Sequence, residues 1–300
     1  MTTRTAGPTS PRSAATSGTT PGACTRSASA TGSDRTHCRT PDAARVRRRG
    51  AARLALLFAV LTGASPAGAD PVRPANAAAA PARVLVFTRT TGWRHDSIPV
   101  AVATLRELAQ DQGLEVVHSE DPASFTSRNL AGFRAVLFAS TTGDVLDEGQ
   151  QAAMEAFVRD GGGFMGVHAA ADTEYDWPWY GELVGARFAG HPPGLQTSRV
   201  RVAERHAIDA DRGGWQVTDE FYNFRDDPRP QVEVLATLTG SDFVGGTMGD
   251  DHPIAWCRGF DGGRSWYTGL GHDVRVWSDP VFRRHLARGL RYATGAADAC

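Results

Sequence analysis

The residues best suited to chemistry are histidines and acids that follow apolar runs. In "GFMGVHAAADT", Gly163 to Thr173, a hydrophobic stretch stops at His168, and Asp172 follows four residues later. A run ending in Gly-x-nucleophile-small is how many α/β enzymes present a reactive side chain at the carboxyl edge of a sheet. Here the usual Ser or Cys is replaced by His168. Imidazole titrates near neutral pH, so the chemistry indicated is proton transfer or metal ligation rather than covalent attack. "TRTTGWRHDSIP" sets Trp93, Arg94, His95 and Asp96 behind another apolar run, and "RSWYTGLGHD" sets His272 and Asp273 behind a third. His191 in "FAGHPP" and His252 in "DDHPIAW" precede prolines and read as turn residues, with either a ligand role or a local backbone bond open to them. "TDEFYNF" places Asp219 and Glu220 beside Tyr222 and Phe224, which suits sugar stacking and hydroxyl recognition, and equally a half-buried loop.

These residues converge only if the runs are parallel strands of one sheet. "RVLVFTRT" from Arg83 is β-branched and apolar, as a strand buried on both faces requires. Ile98, Val102, Leu105 and Leu108 then recur at helical spacing, with Asp96 or Ser97 as the cap and Asp96 favoured for that role. "LEVVHS" and "AVLFAS" read as strands, and Asp147-x-x-Gln150 opens a second helix as a capping box with Met154, Phe157 and Val158 inside. The order strand, helix, strand, strand, helix, strand predicts a doubly wound α/β sheet. From Gly185 the pattern loosens into a loop-rich insert in which "LQTSRVRVA" and "QVEVLATL" read as strands. Asp279-Pro280 opens a last amphipathic helix through Phe282, Leu286, Leu290 and Ala293.

Residues 1–44 carry no apolar periodicity and read as disordered, or as a start placed too early. Residues 45–69 hold an Arg-rich stretch, an apolar core from Leu54 to Leu61 and Ala67-Gly68-Ala69, the three parts of a secretory signal cleaved after Ala69. That core is well short of the ~20 residues of a membrane span, so the expectation is a secreted or extracytoplasmic protein with no stable span after processing. A Pro/Ala linker over 70–81, one domain over 82–295 and a tail over 296–300 complete the division. Without the first 69 residues the chain keeps 22 Arg against 31 acidic residues, a formal charge of −9, which argues against nucleic acid as a partner. All 32 basic residues are Arg, so lysine Schiff-base chemistry and a phosphate-loop Lys are excluded. Cys257 and Cys300 could pair in an oxidising compartment, or stay a buried thiol and a frayed end.

"GWRHDSI", "GGFMGVHAAADT", "DEFYNF", "HPIAW", "YTGLGHD" and the closing W-x-D-P-x-F-R-x-H-L-x-x-G-L-R-Y-A, in this order over about 82–295, resemble the ThuA-like, or trehalose-utilisation, family. The resemblance implies a flavodoxin-like doubly wound, mainly parallel sheet like that of class I glutamine amidotransferases. It implies a role in metabolism of oxidised (3-keto) glycosides and disaccharides. At the amidotransferase cysteine position this chain has His168, and no elbow surrounds Cys257, so thioester hydrolysis of glutamine is excluded. The expected function is that of an exported enzyme acting on a glycoside or 3-keto-sugar, a small carbohydrate ligand, by His/carboxylate acid–base chemistry. His168 is the central base or ligand, oriented by Asp172; His95, Glu220 and His272 complete the polar wall; Trp93, Arg94, Tyr222, His191 and His252 contact the ligand. Two alternatives stand beside it. One is a hydrolase or lyase using a divalent metal such as Zn²⁺, with His95, His168, His191 and His272, together with an Asp or Glu, as candidate ligands. The other is a sugar-binding protein without catalysis. The oligomeric state is left open.

Overall fold

The computed structural model describes residues 81–203 and 214–300. The leader and signal read over 1–69, and the linker up to residue 80, lie outside the described residues. Nine strands form one sheet in the order β2-β1-β3-β4-β11-β10-β9-β6-β7. Its first half is parallel: β2 (Leu114–Ser119), β1 (Ala82–Phe87), β3 (Ala135–Ala139), β4 (Gly163–Val167) and β11 (Gly263–Thr268). This is the flavodoxin order, with β11 as the fifth strand. The other half is antiparallel: β10 (Asp251–Phe260), β9 (Glu233–Thr239), β6 (Gln196–Val202) and β7 (Trp215–Asp219). A separate two-stranded ribbon pairs β5 (Phe188–Gly190) with β8 (Asn223–Phe224).

Strand periodicity splits the core in two. Val84 and Val86 face one side of the sheet and Leu85 and Phe87 the other; β3 divides likewise into Ala135, Leu137 and Ala139 against Val136 and Phe138. The first side is covered by α1 (Ile98–Gln110) and α5 (Pro280–Ala293), the second by α2 (Ser127–Leu130), α3 (Glu148–Arg159) and α4 (Pro178–Val184). The Asp147–Gln150 capping box is formed in both directions. At α1 the N-cap is Ser97, the second of the two candidates, not the favoured Asp96, and it makes no side-chain cap bond. Pro99 at the second helical position already removes one of the N–H groups that a cap would serve.

The insert is more regular than its sequence. β7 alternates buried and exposed residues, and β10 runs ten residues through Pro253. The proline hid that strand, because a ladder N–H is missing there; a register shift between Pro253 and Ala255 absorbs the loss. His252 is therefore a strand residue and not a turn residue. Cys257 of β10 and Cys300 form a disulfide, with Cα atoms 6.5 Å apart, tying the C-terminus to the sheet. Among the described residues no helix is long and apolar enough to cross a membrane.

Candidate functional site

Because β1, β4 and β11 are parallel, the loops after them open on one edge of the sheet, although β3 separates β1 from β4. His168 is the first residue beyond β4 and has φ 52°, a left-handed conformation unusual for a residue with a side chain. It turns the chain from strand into a single helical turn, His168–Asp172. Gly166 leaves room for that turn, since a Cβ there would lie 3.0 Å from the Tyr267 ring and 3.2 Å from the Ala170 Cβ. Tyr267 donates its hydroxyl to the His168 carbonyl at 2.8 Å, fixing the elbow from the neighbouring strand.

The His168 ring is fully buried. Its Nδ1 lies 3.0 Å from the Gly269 carbonyl, which can only accept, so Nδ1 carries the proton and Nε2 presents a lone pair. The carbonyl, not Asp172, orients this ring. Nε2 lies 3.2 Å from Nδ1 of His272 and 3.7 Å from Oε1 of Glu220, and that Oε1 is 3.3 Å from His272 Nδ1. His95 completes the group, its ring perpendicular to both others at 4.8 Å from His168 and 5.2 Å from His272. One donor atom from each of His95, His168, Glu220 and His272 lies within 4.8 Å of all the rest. Burial and neighbouring imidazoles hold His168 well below its ordinary pKa, and burial, then His272, lowers His95 to about 4. Both are neutral near pH 7. His272 moves the other way, raised by its hydrogen bond to Glu220.

Glu220 and His272 come from different elements, and Asp219 joins them. Its buried carboxylate accepts from the backbone N–H of Glu220 at 3.0 Å and of Asp273 at 2.8 Å through Oδ1, and of Gly271 at 2.7 Å through Oδ2. Gly271 has φ 120°, a conformation reserved for glycine, and this aims its N–H at Asp219. Burial pushes Asp219 up to about 7 while the three N–H donors pull it back.

The group opens on a cavity of about 450 Å³ lined by Trp93, His95, Asp172, Phe188, His191, Glu220, Tyr222 and His272. Trp93 stands at its rim, 72% exposed. The Tyr222 ring packs on His168 with centroids 4.3 Å apart. His191 donates from Nδ1 to the Pro192 carbonyl at 2.9 Å or to Oε2 of Glu220 at 3.1 Å, so it borders the cluster without belonging to it. Glu220 supplies the carboxylate, and of the four candidate histidines His191 alone stays outside the group. Two of the expected ligand contacts do not line the cavity. Arg94 is exposed and paired with Glu120 at 2.7 Å. His252 is buried behind the site, where its Nε2 donates to the Tyr222 carbonyl at 2.8 Å. Asp172 lines the cavity but takes its hydrogen bond from Tyr175, not from His168. The roles of Phe188, Tyr175 and Gly269 carry no sequence signal, because each depends on a partner elsewhere in the chain.

The geometry passes a test for metal ligation. Ligands about 2.0–2.1 Å from a tetrahedral Zn²⁺ are about 3.4 Å apart, and the three separations among His168, His272 and Glu220 are 3.2, 3.3 and 3.7 Å. His95, a member of the same cluster, has a buried Nδ1 with no hydrogen-bond partner. His168 has the carbonyl behind it that metal-bound imidazoles usually have.

A flavodoxin-type sheet whose elbow carries a histidine inside a His/carboxylate group defines a mainly parallel α/β protein with a polar site at the edge of its sheet. The family model described as ThuA, trehalose utilisation, matches residues 83–293, and the chain belongs to that family. Among solved structures, a ThuA-like protein from Bacteroides uniformis aligns with TM-score 0.60 at 21% identity, covering 74% of this chain and 95% of its own. One from Parabacteroides merdae aligns with TM-score 0.60 at 18% identity, covering 72% and 91%. Comparison with curated proteins finds no match.

Proposed function

We propose that the protein is an exported enzyme of carbohydrate metabolism that acts on a glycoside or 3-keto-sugar at a divalent cation held by His95, His168, Glu220 and His272. The observation that carries this reading is the convergence of four ligand atoms within 4.8 Å of one another at the floor of a cavity. The family's link to trehalose utilisation supports a sugar substrate. The leader pattern and the disulfide support a place outside the reducing cytoplasm.

His95 and His168, neutral near pH 7, have lone pairs to give without first losing a proton. A divalent cation supplies Lewis acidity at that point. Trp93 and Phe188 offer apolar faces to the C–H side of a sugar ring, and Tyr222 packs the His168 ring in place. A metal-free acid–base variant is favoured by one observation, the His272–Glu220 hydrogen bond, which keeps a proton on the pair.

The test combines metal analysis with a screen of glycosides and their 3-keto forms. One equivalent of Zn²⁺ or a similar ion, lost together with turnover in His168→Ala and Glu220→Gln, is the expected result. Full turnover in excess chelator overturns the cation, and an absence of turnover on every sugar, with and without added metals, overturns the enzyme reading.

A further inference from the structure

The cavity holds one acid outside the cation cluster. Asp172 ends the helical turn that His168 begins, and its backbone carbonyl is fixed by the N–H of Gly143 at 2.9 Å. Its side chain reaches the cavity wall, yet it is no member of the four-ligand group and makes no hydrogen bond to His168. Oδ1 accepts the Tyr175 hydroxyl at 2.6 Å, so contact with a ligand falls to the other oxygen. Tyr175 is itself held: Arg225 stacks on its ring at 4.4 Å, Arg187 lies 5.5 Å away, and Arg187 is pinned to the carbonyls of Glu174 and Trp177 at 2.8 and 2.6 Å. This is a carboxylate on the substrate wall with a fixed orientation and a support that touches nothing in the cation cluster.

We propose that Asp172 is the residue that exchanges a proton with the bound sugar, and that Tyr175 is its positioning residue. The proposal rests on the sugar-enzyme reading above. In hydrolysis of a glycoside the bond from the anomeric carbon to the leaving oxygen breaks, and its electron pair stays on that oxygen. The oxygen takes the proton of Asp172. A water molecule forms the new bond to the anomeric carbon, and the proton it loses returns Asp172 to its acid form, so glycoside and water give free sugar and alcohol. The groups facing Asp172 are Tyr175, Arg225 and His191, with Glu220 across the cavity; burial raises its pKa and the Tyr175 bond lowers it.

The experiment compares Asp172→Asn and Tyr175→Phe with the wild type in three readouts. Asp172→Asn lowers kcat about 100-fold or more, the scale of a lost general acid, and removes one limb of the pH profile. Tyr175→Phe lowers kcat less than Asp172→Asn does and moves that limb to higher pH, because the lost hydrogen bond both fixed Asp172 and favoured its carboxylate. A carboxyl NMR titration of Asp172 moves in the same direction. Metal content stays at the wild-type level in both variants. Wild-type kcat in Asp172→Asn, or an Asp172 titration unmoved in Tyr175→Phe, overturns the proposal. If the wild type turns over no sugar, the enzyme reading fails, while the NMR titration still decides whether Tyr175 sets the state of Asp172.

Discussion

Replacing Asp219 by Asn tests the link between Glu220 and His272. The carboxylate accepts three backbone N–H bonds at 2.7–3.0 Å, two on Oδ1 and one on Oδ2. An amide has one acceptor oxygen, so it retains the bonds from Glu220 and Asp273 and turns an NH₂ toward the Gly271 N–H. Burial pushes Asp219 up to about 7, so below that pH its neutral acid and the amide are both neutral acceptors, and the difference between them is the bond from Gly271. Leaving that buried N–H unsatisfied costs about 1–3 kcal/mol. The net loss is about 2 kcal/mol, or a fall in Tm of about 4–8 °C for a domain of this size. Glu220 and His272 then lose their common anchor, and Zn²⁺ affinity drops about 10–100-fold, as for other groups that orient metal ligands. Urea denaturation and a Zn²⁺ titration measure both. A variant with unchanged Tm and wild-type Zn²⁺ affinity refutes the claim that Asp219 holds the two ligand loops together.

Asp219 also predicts a pH dependence: its folded pKa, about 7, lies above the ordinary 3.8, so the stability it contributes is present below about 3.8 and lost as pH rises through 7. Stability curves from pH 4 to 8 should lose that component in Asp219→Asn, and identical slopes in the two proteins contradict it. The Cys257–Cys300 bridge spans 43 residues, a loop whose closure is worth about 4 kcal/mol in the chain-entropy account; Cys300→Ser with wild-type urea stability refutes that value. Trp93 is 72% exposed, so Trp93→Ala should leave Tm within about 1 °C while weakening sugar binding roughly 10-fold by calorimetry. A large fall in Tm with intact binding reverses its role from ligand wall to packing.

The parallel half of the sheet was legible because β1, β3 and β4 are apolar on both faces, α1 and α3 carry apolar stripes, and α3 has its own cap at Asp147–Gln150. Such signals lie within ten or so neighbouring residues. β10 was not legible, because Pro253 removes a ladder N–H and only the bulge facing β9 shows how the sheet absorbs it. The site divides along the same line. His168, His272 and His95 could be picked out because each follows an apolar run, and a parallel sheet sends the loops after its strands to one edge. Residue type and local periodicity thus determined the family resemblance, the strand ends and the absence of a thiol at the elbow. Only the tertiary structure decided that Glu220 rather than His191 joins the three histidines, that a Gly269 carbonyl rather than Asp172 orients His168, and that Arg94 turns away to Glu120. Those choices are hydrogen bonds and close approaches between residues 26 to 104 positions apart. Their geometry is set by strand order and loop packing, which no local stretch of chain encodes.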